Sequence, residues 1–183
     1  MRLTSLFASF VMLTFIPLSS QAANFQVGTT LPILIKGKDP SGVRGVRANV
    51  WYTPQAFVWP KFKVYFTLGY GHWWANGART YKQINIISAA PVLRFYFKKS
   101  QYFSPFIEAS IGPSYLSKTQ FATQKLGIHY AFQDEIGLGT GVGKKRKLYF
   151  TLSALHYSNG SMAKMNAGIT VPLVLNIGYK FDV

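Results

Sequence analysis

Side-chain character alternates with a period of two along almost the whole chain, and this regularity limits the fold more than any motif does. In Phe25 to Lys36 the odd positions are Phe25, Val27, Thr29, Leu31, Ile33 and Ile35, with Gln26, Gly28, Thr30, Pro32, Leu34 and Lys36 between them. From Lys61 onward, Phe62, Val64, Phe66, Leu68 and Tyr70 alternate with Lys61, Lys63, Tyr65, Thr67, Gly69 and Gly71. Near the C-terminus one row is Ile169, Val171, Leu173, Leu175, Ile177, Tyr179 and Phe181, and the other Thr170, Pro172, Val174, Asn176, Gly178 and Lys180. Period two sends successive side chains to opposite faces of a strand, whereas a helix needs a period of 3.6. No long segment after residue 23 carries the helical period, so the chain is all-β.

Eight alternating segments are legible, at 24–36, 43–54, 61–73, 82–98, 102–116, 124–143, 147–158 and 167–182. Several exceed the ordinary globular strand and match the ~9–11 residues or more that a tilted strand needs to cross a bilayer. One row of each is apolar; the other, with Lys61, Lys63, Thr67, Arg94, Glu108, Asn176 and Lys180, suits a narrow lumen. Trp51, Tyr52, Trp59, Trp73, Trp74 and Tyr81 fall near strand ends, where an interfacial aromatic belt is expected. These features predict an eight-stranded antiparallel outer-membrane β-barrel, whose closure satisfies every backbone group and leaves no edge. The soluble competitor, a lipocalin-like barrel, would turn its apolar row inward. Arg94 and Glu108 flank one turn and are expected to pair inside the lumen.

The first residues carry a different signal. Arg2, an uncharged apolar run from Leu6 to Leu18 and Ser20-Gln21-Ala22 form the pattern of a cleaved signal peptide over 1–22, leaving a single barrel domain over 23–183. Export removes nucleic acid from the expected partners. Cysteine is absent, which excludes disulfides and thiolate metal sites. Lys and Arg number 20 against 5 Asp and Glu, giving a net charge of +15 that calls for an anionic neighbour such as anionic lipid or lipopolysaccharide phosphate. With the mature N-terminus on the periplasmic side, segments one, three, five and seven run outward, which places the 159–167 loop at the cell surface and the Gly143–Lys147 turn (GKKRK) in the periplasm.

That orientation gives weight to the stretch ALHYSNGSMAKMNAGIT, Ala154 to Thr170. His156 and Ser158 continue the apolar row of segment seven and should face lipid at the surface end. Residues i and i+2 of a strand lie on one face about 6.5–7 Å apart, within reach of a His–Ser hydrogen bond. Asn159-Gly160 is also an ordinary tight-turn pair, and an interfacial histidine can simply reach for the headgroups, so a turn-only reading stands beside a hydrolytic one. Asp134 is the anomaly of segment six: a carboxylate in the apolar row, brought opposite His156 or within one pair of it by the GKKRK turn. Glu135 points the other way, toward the lumen with His129 and Gln133. His72 and His129 are expected to be structural.

The segments HYSNG at 156–160, NAG at 166–168 and FQDEIGLG at 132–139 resemble the lipid A 3-O-deacylase (PagL) family of the Gram-negative outer membrane. The resemblance implies an esterase that needs no metal or cofactor and removes the 3-linked hydroxyacyl chain of lipid A. Carried over, Ser158 is the nucleophile and His156 the base and then acid. Asn159, Gly160 and Asn166 are candidates for oxyanion donors or for loop ordering. One departure matters: where the best-known members carry a triad glutamate, this chain has Thr170, and Asp134 is the candidate acid in its place. Strand parity turns Thr170 away from the lipid row unless Pro172 marks a bulge. Expected partners are lipid A or lipopolysaccharide and outer-membrane lipids, with a homodimer compatible. The alternatives are a non-enzymatic structural or adhesin barrel with an idle HYSN motif, and a narrow channel, which eight strands disfavour because side chains fill the interior.

Overall fold

The computed structural model describes residues 24–34 and 42–181; the expected signal peptide lies outside them. Eight long strands close into an antiparallel barrel: β1 (Asn24–Leu34), β2 (Val43–Thr53), β3 (Phe62–Ala75), β4 (Gln83–Tyr96), β5 (Phe103–Leu116), β8 (Tyr130–Val142), β9 (Leu148–Ser158) and β10 (Ile169–Lys180). A two-stranded hairpin, β6 (Gln120–Phe121) with β7 (Gln124–Lys125), sits in the connection between β5 and β8, and β1 pairs β10 to complete the ring. Successive strands are neighbours throughout, so the connections at one end (54–61, 97–102, 143–147) alternate with those at the other, which include the longest described, 117–129 and 159–168.

The alternation faces as expected. Leu68, Ile111, Ile136 and Leu138 are each 58–60% exposed on the outer wall, an apolar surface too extensive for an aqueous protein and suited to lipid. The inner row is buried. Two aromatic assignments change: Trp73 is fully buried inside the barrel, and Trp51 points inward, its ring packed over Gly28 and Gly178. A side-chain carbon at Gly28 would lie 2.4 Å from that ring, so glycine is what makes room for the indole. Trp59 and Tyr81 remain on the outside.

The lumen has two chemistries. Toward the long-loop end it is an apolar plug of Trp73, Ile84, Leu116, Leu155, Tyr157 and Val171, closed from above by Phe121 and Leu126 of the 117–129 connection. The sixth segment therefore begins at Tyr130 rather than at 124. Leu126 belongs to the plug, where an apolar residue extends the sequence alternation without extending the strand.

Toward the middle the lumen is polar and tightly paired. Arg47 donates to Glu135 at 2.7 Å and to Gln133 at 2.7 Å, while Asn176 donates to the other oxygen of Glu135 at 2.8 Å and to Ser153 at 3.0 Å. Thr30 joins them by accepting from Asn49 at 2.9 Å and donating to Asn176. Below it Arg94 and Glu108 face each other in register and bond at 2.7 Å, with Tyr65 Oη donating to the same carboxylate at 2.8 Å. The expected Arg94–Glu108 pair is therefore present. Charges this deep persist only when paired and hydrogen-bonded.

Candidate active site on the outer wall

β9 delivers His156 and Ser158 to the lipid-facing wall near the long-loop end. Both are half-buried, while Leu155 and Tyr157, which alternate with them, are fully buried in the plug. The neighbouring strands supply the rest. Asp134 on β8 is the direct cross-strand partner of His156, and Phe132 is that of Ser158. On the other side Thr170 of β10 is also in register with His156.

Thr170 reaches the outer wall through a break in the pattern. The β9–β10 register shifts between Val171 and Val174, so Pro172 and Leu173 together take the place of one residue. Below the shift Leu175 and Ile177 face outward; above it Ile169 and Val171 turn into the plug and Thr170 turns out. The single apolar row drawn through Ile169 and Val171 from the sequence is thus corrected, because one extra residue inverts every side chain beyond it. His156 Nδ1 lies 2.8 Å from Thr170 Oγ1. If Nδ1 carries the ring proton it donates to the hydroxyl, which leaves Nε2 as the basic nitrogen.

His156, Asp134 and Thr170 share a groove of about 610 Å³ of open space with Ala109, Ile136 and Ala154, and Ser158 lies outside its lining. No hydrogen bond joins His156 to Asp134 or to Ser158 among the described residues. Asp134 is therefore a cross-strand neighbour of the imidazole from β8, whereas Thr170 holds the ring by contact.

The loop after Ser158 is built around Asn159, which is fully buried. Its amide nitrogen donates to the carbonyls of Leu126 at 2.7 Å and Met165 at 2.8 Å, and its backbone N–H donates to Asn166 Oδ1 at 2.9 Å. All of its donors are thus spent on ordering the loop. The backbone N–H of Gly160 and the side-chain amide nitrogen of Asn166 take no partner among the described residues.

Gly160 has φ +61° and Gly168 φ +67°, the left-handed region that glycine enters without penalty. Gly168 has a second constraint: a side-chain carbon there would come within 2.7 Å of His156 Cε1. The NAG segment thus sets the imidazole from behind, a role its spacing alone did not reveal. His72 and His129 lie apart from this constellation. His72 Nδ1 lies 2.6 Å from Asn85 Oδ1, while His129 Nδ1 lies 2.6 Å from the Leu116 carbonyl and the ring stacks on Tyr115. His129 is on the surface rather than in the lumen with Gln133.

The sequence model of the family described as lipid A 3-O-deacylase (PagL) matches residues 45–180. The chain is 31% identical over 123 residues to the lipid A deacylase PagL of Bordetella bronchiseptica, covering 67% of this chain and 65% of that protein. It is 33% identical over 105 residues to the lipid A deacylase PagL of Pseudomonas aeruginosa, covering 57% of this chain and 58% of that protein. The chain thus spans somewhat less than two thirds of the length of these curated relatives. Among solved structures, the outer membrane enzyme PagL superimposes with a TM-score of 0.59 at 25% identity, covering 89% of this chain and 100% of that one. Neisserial surface protein A superimposes at 0.56 with 10% identity, a likeness of fold alone. With the family match running from β2 to the end of β10, this closed barrel of the outer membrane belongs to the lipid A 3-O-deacylase (PagL) family.

Proposed function

We propose that the barrel is an esterase of the outer leaflet that hydrolyses the 3-O-linked hydroxyacyl chain of lipid A, with Ser158 as nucleophile. The observation that carries the reading is His156, seated on the lipid-facing wall between Thr170 and Asp134 and two residues before Ser158 on one face. A site on the outside of a barrel serves a substrate that lives in the membrane. Short turns on the periplasmic side put this ledge at the outer leaflet. There Arg44, Arg79, Lys82, Lys118, Lys125 and Lys164 line the exposed loop end and offer cations to lipid A phosphates.

In this reading His156 Nε2 accepts the Ser158 hydroxyl proton as Oγ adds to the ester carbonyl. The Gly160 N–H and the Asn166 amide are the donors free to meet the oxyanion, whereas Asn159 holds the loop that presents them. Collapse breaks the ester C–O bond, and the imidazolium returns its proton to the departing sugar oxygen. A water molecule, deprotonated by the same histidine, then releases the hydroxyacyl chain as a carboxylic acid. Thr170 orients the ring but carries no charge, so Asp134 is the group that favours the imidazolium electrostatically.

The test is mass spectrometry of lipid A incubated with detergent-folded protein. Loss of one hydroxyacyl mass with wild type and not with Ser158→Ala is expected. Unchanged lipid A from a folded wild-type sample overturns the reading and leaves a non-enzymatic barrel with an idle motif.

A further inference from the structure

The short-turn end of the barrel opens into a recess with about 890 Å³ of open space, whose lining includes Lys63, Lys99, Lys145, Arg146 and Lys180 and, among the described residues, no carboxylate. Five cations around one opening repel one another unless an anion sits among them. The deepest is Lys63, only 7% exposed. It lies directly opposite Arg94 on the inner wall, and Glu108 already receives Arg94 at 2.7 Å and Tyr65 at 2.8 Å. Two buried cations thus share one carboxylate whose bonds go to the other.

What Lys63 touches instead is aromatic: Nζ is 5.1 Å from the centre of the Tyr65 ring and 5.6 Å from that of Tyr149. These faces soften the burial of an ammonium without neutralising it. No hydrogen bond holds Lys63 among the described residues. Arg146 shows the same deficit: one terminal nitrogen donates to the Ser100 carbonyl at 2.9 Å, but Nε is buried without a partner. The middle of the lumen is different, since there Arg47 is matched by Glu135.

We infer that this recess is a binding site for a phosphate-bearing anion, with Lys63 at its floor and Lys145 and Arg146 at its rim. Ammonium and guanidinium groups converging from three sides fit the several oxygens of a phosphate better than a single carboxylate. The site lies at the opposite end of the barrel from His156, so it is separate from the ledge and does not depend on the esterase reading. Two sources carry this chemistry: a free phosphate or diphosphate, and the headgroup of an inner-leaflet phospholipid.

The experiment uses the full chain folded in a non-ionic detergent, with two probes. Calorimetric titration with inorganic pyrophosphate at constant ionic strength reports the soluble source. Native mass spectrometry after addition of phosphatidylglycerol reports the lipid source. At least one probe is expected to bind wild type, and both Lys63→Met and the Lys145→Gln/Arg146→Gln double variant should weaken it about tenfold, the loss of one charge-assisted contact. The double variant changes a surface turn, so it tests the site even if Lys63→Met perturbs folding. Lys61→Gln, an exposed lysine at the same end that does not line the recess, should bind as wild type does. Which probe binds identifies the source. Failure of both probes to bind wild type, or unchanged binding by the double variant, overturns the inference.

Discussion

Asp134 and Glu135 are neighbours in sequence and face opposite sides of the barrel wall. Glu135 looks inward, its side chain 11% exposed, and both oxygens are taken: one by Arg47 at 2.7 Å, the other by Asn176 at 2.8 Å. Asp134 looks outward beside His156, with no hydrogen bond drawn to it among the described residues. In the proposed reading, one strand thereby serves two purposes. A carboxylate with its acceptors filled is a fastener, and its removal strands a buried guanidinium. A carboxylate with its acceptors open is a field that a reacting imidazole can use.

The largest expected effect tests the outer side. Ser158→Ala should lower lipid A hydrolysis by about 10³-fold or more, since the nucleophile has no substitute. The heat-modifiable gel shift of the folded barrel should stay unchanged. On the inner side, Glu135→Gln should cost about 3 kcal/mol of stability, read as a lower guanidinium midpoint for unfolding from lipid vesicles. The turnover number of its folded fraction should match wild type. If hydrolysis fell while stability held, the division between the two faces would be broken.

Thr170→Glu sharpens the comparison by placing a second carboxylate on the outer side, at the hydrogen-bonding distance that Oγ1 already occupies. The expected result is a rise in kcat of about tenfold, because a charged partner stabilises the imidazolium where a hydroxyl only orients it. The smallest effect is that of Asp134→Asn. A half-buried charge without a hydrogen bond contributes about 0.2–1 kcal/mol, so kcat should fall only a few-fold and the unfolding midpoint should not move. A loss as large as that of Ser158→Ala would instead make Asp134 the triad acid in full.

The barrel was legible because period two survives wherever one face meets lipid and the other a packed lumen. It misled where something other than lipid was apolar. Leu126 extends the alternation of the sixth segment, yet it plugs the mouth. Trp51 and Trp73 match an interfacial belt by composition, yet the glycines at 28 and 178 open space for Trp51 inside, and Trp73 joins the plug. The site followed the same logic. His156, Ser158 and Asp134 fell on the outer row by parity, and the structure places them there. Thr170 did not, because its direction depends on the shift beside Pro172, and a bulge is a property of two strands together. The work of Asn159 was hidden for a related reason: its acceptor at Leu126 lies 33 residues away.

The partner of His156 Nδ1 resides on β10, the last strand of the chain and the one that meets β1 to seal the ring. The hydroxyl that orients the ring is delivered by the β9–β10 pairing, and the same strand meets β1. In the proposed reading, loosening β10 would therefore open the barrel wall and release the imidazole together.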